Sequence, residues 1–492
     1  MTPEIISQKL TKLLNYPNEW LLINSAGKSF SLKKDEIEFE SKRGRVLISF
    51  LDDRGFQTWR VTNFEQVKRE IVLELTRNFE REREKLRFVP RVSAEELGAE
   101  VELARLEKAN EIGKLLVSEI QNTKLIRVQL NKENGRFAQV VIEKQKQQIA
   151  VLADVSDSLT PEVHISYAFV WLSKLGSRKK NPIDETWILA EKKLARNLQK
   201  LHACLRESWK YQIKIKEISK TEAKKQCEKI TNKKSLKISD LWREKPAKLK
   251  LSESNELSQM AREIIEFAPE KIDCLFTKHG ETLRYLGLPF VRIRKMLDKD
   301  KSWFGIEREK RILSDKTWED FEKLIEDLKL YRSFDSPNKQ HAFYKESPEA
   351  WLESILRHNI KLLDVNLILS PIYNQFRTLR DKIDLLALRR DGRLIIIELK
   401  VSPDREMIFQ AVDYWRKIEL QRRKGKLNEA KIFGKKEIAD KPTLVYLVAP
   451  AMSFHRDFNF LAKTVSEEIE IYRFDLAINW REDLKVLGRR KI

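Results

Sequence analysis

The side chains best suited to chemistry lie near the C-terminal end, in the stretch KIDLLALRRDGRLIIIELK from Lys382 to Lys400. Two runs rich in Ile and Leu flank a charged segment ending in Asp391-Gly392, the pattern of a β-hairpin buried on both faces. Asp384 interrupts the first run, and Glu398 and Lys400 close the second. Carboxylates inside an apolar strand are costly unless something pairs with or coordinates them.

The turn decides whether the two acids meet. A two-residue turn at Asp391-Gly392 pairs Arg390 with Arg393 and sets Asp384 opposite Leu399, on the other face from Glu398. A three-residue turn, Arg390-Asp391-Gly392 with Gly392 left-handed, sets Asp384 opposite Glu398 and Lys382 opposite Lys400. Opposed residues have β-carbons ~4.5–5.5 Å apart, close enough for two carboxylates to share one divalent cation. Glycine in the last loop position favours the three-residue turn.

Several elements must hold this hairpin. Ser347-Pro348-Glu349 predicts a helix start, with Ser as N-cap and an acid in the first turn. The helix carries Trp351, Leu352, Ile355 and Leu356 on an apolar face, with Glu353 among them. A strand at 365–369 and a connection through Tyr373 and Phe376 lead into the hairpin. Ser402-Pro403 predicts a second helix, which sets Gln410 and Tyr414 one turn apart on one face. A strand at 443–448, a helix over 455–464 and a strand at 470–474 complete the region.

The string Glu353, Asp384, Glu398-Leu399-Lys400, Gln410-x-x-x-Tyr414 resembles the PD-(D/E)XK nuclease superfamily, in particular its RecB-like branch and the C-terminal domain of NucS-type endonucleases. The resemblance covers residues 342–475, and Ile383 stands where the name-giving motif has proline. It implies a restriction-endonuclease-like α/β/α sandwich with a mixed sheet. It further implies Mg²⁺ or Mn²⁺ held by Asp384, Glu398, the Leu399 carbonyl and Glu353, with Lys400 orienting or deprotonating the attacking water or stabilising the transition state. Gln410 and Tyr414 would contact nucleic acid or hold the lysine.

The rest of the chain bounds this reading. At 492 residues it is long enough for several domains, and its formal charge of +21 favours a polyanionic partner. No apolar run is long enough to span a bilayer, and Cys204, Cys227 and Cys274 form no Cys-x-x-Cys pair, so a cytoplasmic protein with reduced thiols is expected. Residues 1–90 read as a small α+β domain, with strands near 20–24, 36–40, 46–51 and 56–61 and a closing helix over 64–86.

Residues 93–218 read as an α/β domain in the order helix, β-meander, helix, strand, helix, strand. The nuclease-like region, 342–492, has the same order, which suggests a degenerate second copy. Asp154 then stands where Glu398 stands, and Ser156 where Lys400 stands. Residues 219–254 read as a basic linker, and 255–335 as a mostly helical connecting domain in which aromatics interleave with Arg and Lys.

The function expected is a metal-dependent nuclease acting on phosphodiester bonds, most simply in DNA, with a catalytically inactive nucleic-acid-binding protein as the alternative. Oligomeric state stays open, a homodimer included.

Overall fold

The computed structural model describes residues 2–492 except 15–18, 26, 28, 53–54, 68–69, 79, 91–93, 177–181, 221–227, 247–255, 278–279, 296–299, 307–309 and 371–383. Its contacts divide the chain into two units: 1–111 with 130–136 and 155–158, and 112–129 with 137–154 and 159–492. The fold class is as expected, multidomain α/β with mixed and antiparallel sheets.

In the first unit a helix, Pro3–Leu14, accompanies a seven-stranded sheet. The helix expected over 64–86 is absent; Gly55–Val67, Glu70–Arg77 and Glu82–Pro90 are antiparallel strands. Ile71, Leu73 and Leu75 are buried at alternate positions, as are Leu86 and Phe88. That period of two outweighs the helix-like charge content.

The second unit contains two six-stranded mixed sheets and a five-stranded antiparallel one. The first mixed sheet comprises β1 (Thr123–Leu130), β2 (Phe137–Lys144), β3 (Gln147–Asp154), β4 (Glu185–Glu191), β5 (Ile213–Lys220) and β6 (Glu228–Asn232), adjacent in chain order. Helix α1 (Pro161–Gly176) connects β3 to β4, and α2 (Lys192–Ala203) leads from β4 towards β5. Strand β6 pairs antiparallel with β5, so the expected linker over 219–254 supplies a sheet edge instead.

The expected mostly helical connector, 255–335, holds a five-stranded sheet between its helices. Its strands are Ile272–Thr277, Gly280–Tyr285, Leu288–Lys295, Asp300–Phe304 and Arg311–Ile312, framed by helices Gln259–Ile265 and Trp318–Tyr331. Alternating aromatic and basic residues there form strands: Phe290 and Phe304 pack on Phe321, while Arg294 lies over the Trp303 ring.

Helix α3 (Pro348–His358) precedes the second mixed sheet: β7 (Leu367–Leu369), β8 (Leu385–Arg389), β9 (Leu394–Leu399), β10 (Leu444–Pro450), β11 (Ile471–Leu476) and β12 (Val486–Lys491), again adjacent in chain order. The edge strand β12 carries no strong apolar pattern and was not expected. Helix α4 (Met407–Arg423) connects β9 to β10, and α5 (Phe458–Ala462) lies between β10 and β11. Parallel neighbours need such crossovers. Leu394 to Ile397 and Leu399 are fully buried, which explains the unbroken Ile/Leu run in the strand between two parallel or antiparallel partners.

Candidate active site

The three-residue turn forms. Leu385 pairs with Ile397, Leu386 with Ile396, Ala387 with Ile395 and Leu388 with Leu394. Gly392 has φ +79°, and its N–H donates to the Arg389 carbonyl at 2.8 Å. Asp391 fastens the turn from inside, accepting two hydrogen bonds from the Arg389 guanidinium at 3.0 and 2.6 Å and one from Arg393 N–H at 3.1 Å. An L-residue at 392 would be strained in this backbone and pressed against Ala439. Continued by one residue, the register sets Asp384 opposite Glu398, and Asp384 Oδ2 accepts from Leu399 N–H at 2.9 Å.

Glu398 is 3% exposed, and burial, then the Asp384 carboxylate, push its pKa well above the ordinary range. Its Oε1 lies 3.5 Å from Lys400 Nζ, whereas its Oε2 is buried without a hydrogen-bond partner among the described residues. Lys400 also pairs with Asp404 Oδ2 at 3.0 Å. Burial alone would lower the Lys400 pKa, but the carboxylates of Glu398, Asp404 and Glu349 outweigh it and raise it. The ammonium therefore stays charged.

The surroundings contain acids that the sequence motif did not identify. The Ser402-Pro403 start is not realised; α4 begins at Met407, and the preceding bend holds Asp404 beside Lys400. Asp404 Oδ1 accepts from Glu406 N–H at 2.6 Å. Burial, then contact with Asp404, push the Glu406 carboxyl up to about 7. Asp404 itself stays below its ordinary value despite burial, because Glu406 and Lys400 favour its charged form. The four-residue spacing of Lys400 and Asp404 was the available sequence signal.

Glu353 sits elsewhere in the electrostatic pattern. It is 2% exposed, with Oε1 3.4 Å from Arg284 and 3.5 Å from Arg357. Arg284 is also held by Asp273 at 2.7 Å. Among the described residues, no three His, Cys, Asp or Glu side chains are grouped so as to hold a metal ion. The acid of α3 that acts on Lys400 is Glu349, one turn earlier. Ser347 does not cap this helix with its side chain; its backbone is left-handed, φ +43°.

Gln410 and Tyr414 lie one turn apart on α4, both half-buried, and Gln410 Oε1 is buried without a hydrogen-bond partner among the described residues. Tyr373, Phe376 and Lys382 lie outside the described residues.

The donor set fits a hard divalent cation: two opposed carboxylates, one with a buried oxygen that has no hydrogen-bond partner among the described residues. No protein-family model matches the chain, and no curated protein matches it. A solved structure titled "Structure of EndoMS-dsDNA2 complex" aligns with 39% of this chain and 86% of its own at 15% identity, with a TM-score of 0.14.

Proposed function

We propose that the chain is a divalent-metal-dependent nuclease that hydrolyses phosphodiester bonds in DNA. The observation supporting this most directly is the opposition of Asp384 and Glu398 at a strand end that also carries Lys400. Two carboxylates opposed at the end of a buried strand pair repel each other, so a cation gives the pair a physical reason to exist. The charge of +21 suits a polyanionic substrate.

Asp384, Glu398 and the Leu399 carbonyl would hold Mg²⁺ or Mn²⁺. When bound, such an ion polarises the scissile phosphate and makes an attacking water more acidic. Lys400, held protonated by its acidic neighbours, supplies positive charge to developing phosphate charge rather than accepting a proton. Glu406, with its carboxyl near 7, is suited to exchanging a proton at neutral pH. Gln410 and Tyr414 contact the nucleic acid or hold Lys400 in this reading.

The test is cleavage of single-stranded, duplex, forked and mismatched DNA, and of RNA, with Mg²⁺, Mn²⁺ or EDTA. Metal-dependent cutting of DNA that Asp384→Ala and Lys400→Ala each abolish is the expected result. Absence of such cutting from the wild-type protein sinks the proposal. Salt-sensitive binding without cutting would leave a nucleic-acid-binding protein instead.

A further inference from the structure

The two six-stranded sheets are built alike. In the first, β2/β3 is antiparallel, β3/β4 and β4/β5 parallel, and β5/β6 antiparallel. In the second, β8/β9 is antiparallel, β9/β10 and β10/β11 parallel, and β11/β12 antiparallel. Each has a helix in both crossovers, α1 and α2 in one, α4 and α5 in the other.

They also meet through equivalent parts. Leu205, just after α2, forms an antiparallel bridge with Val465, just after α5. The hydrogen bonds about this bridge are reciprocal: Arg206 N–H donates to Thr464 O and Ser466 N–H to Cys204 O, both at 2.9 Å. Nearby, Phe169 of α1 stacks on Phe409 of α4, with centroids 5.9 Å apart and planes 11° from parallel. Contact of each part with its own counterpart is the signature of an isologous, two-fold interface.

The chemistry is not duplicated. The β2/β3 register sets Phe137 opposite Asp154, where β8/β9 sets Asp384 opposite Glu398. Phe137 is 1% exposed, stacked on Tyr167 at 4.7 Å and edge-on to His164 at 5.1 Å, so an aromatic cluster fills the place of the second carboxylate. Asp154 Oδ2 accepts from Leu159 N–H at 3.1 Å, tying down the entry to α1. Ser156 stands where Lys400 stands.

We propose that the chain is an internal dimer of two nuclease-type folds with one reacting site, so that one encounter cuts one strand of a duplex and leaves the other intact. This rests on the nuclease reading of the Asp384 site. The first sheet then serves as the docked second half, which a symmetric enzyme would take from another chain.

The experiment uses the full chain with Mg²⁺ on supercoiled plasmid, with enzyme in excess. Nicked circles should accumulate first, and linear DNA should appear only later, through independent second cuts. In mixtures of wild type with Asp384→Asn at fixed total protein, activity should fall in proportion to the wild-type fraction, because each chain is a complete unit. Direct conversion of supercoiled to linear DNA, or activity falling with the square of that fraction, overturns the internal-dimer proposal while leaving the nuclease reading standing. No metal-dependent cutting of any form overturns both.

Discussion

Asp384→Asn separates a site selected for holding a cation from one built for stability. The substitution keeps the shape and an oxygen that can accept from Leu399 N–H, but removes a negative charge opposite buried Glu398. At a separation of ~5 Å and an effective dielectric of ~20, two unit charges repel by about 3 kcal/mol. Lys400, 3.5 Å from Glu398, and the raised pKa of the buried Glu398 carboxyl relieve part of this. A gain of roughly 1–2 kcal/mol in the metal-free protein is therefore expected, about 5- to 30-fold slower exchange of β8 and β9 amides by local opening. Metal should reverse the order. A cation at 100 times its dissociation constant stabilises its bound form by about 2.7 kcal/mol, and only the wild type should show that gain. Hydrogen exchange followed by mass spectrometry, with and without Mg²⁺, reads both effects in the same strands. Faster metal-free exchange in Asp384→Asn, or a Mg²⁺ effect equal in both proteins, would refute the reasoning.

Three further outcomes can be measured by unfolding. Glu353→Gln leaves Arg284 buried without one of its counter-charges and should cost about 3 kcal/mol in denaturant melts, with lost activity tracking lost fold. Gly287→Ala should destabilise by at least ~2 kcal/mol, because the backbone has φ +81° and the new Cβ would fall 2.0 Å from the Ala350 carbonyl oxygen in α3; an unchanged melt would exclude this packing. Glu419 is fully buried, and although burial raises its pKa, Arg422 and Thr443 outweigh that and hold it below its ordinary value of 4.5. Its stabilisation is thus present above pH 4.5 and lost as pH falls through the lower folded value, so Glu419→Gln should flatten the acid limb of the melting temperature measured from pH 7 to 3.

The hairpin was legible because its determinants are local. Arg389, Asp391 and Gly392 set the turn within a few residues, and that turn alone puts Asp384 opposite Glu398. The strands around it followed from their apolar runs. Where charge obscured a period of two, at Glu70–Arg77 and Glu82–Pro90, the helix expectation failed. In the 255–335 segment the helical periodicity of the two ends was extended to the whole, whereas the aromatic-basic stretches between them pair as short antiparallel strands.

Glu353 has a partner that its place in the motif does not reveal. Its position on α3 is a local property, but its partner Arg284 comes from a strand 69 residues away. That arginine is itself oriented by Asp273 across a strand pair, and the tight turn at Gly287 brings the same hairpin against Ala350. One turn of helix therefore separates an acid that joins the five-stranded sheet to α3 from an acid, Glu349, that acts on Lys400. Sequence spacing cannot distinguish the two, because i and i+4 share a helix face. Only the long-range guanidinium does, and it makes α3 a strut between the connecting sheet and the charged end of β9.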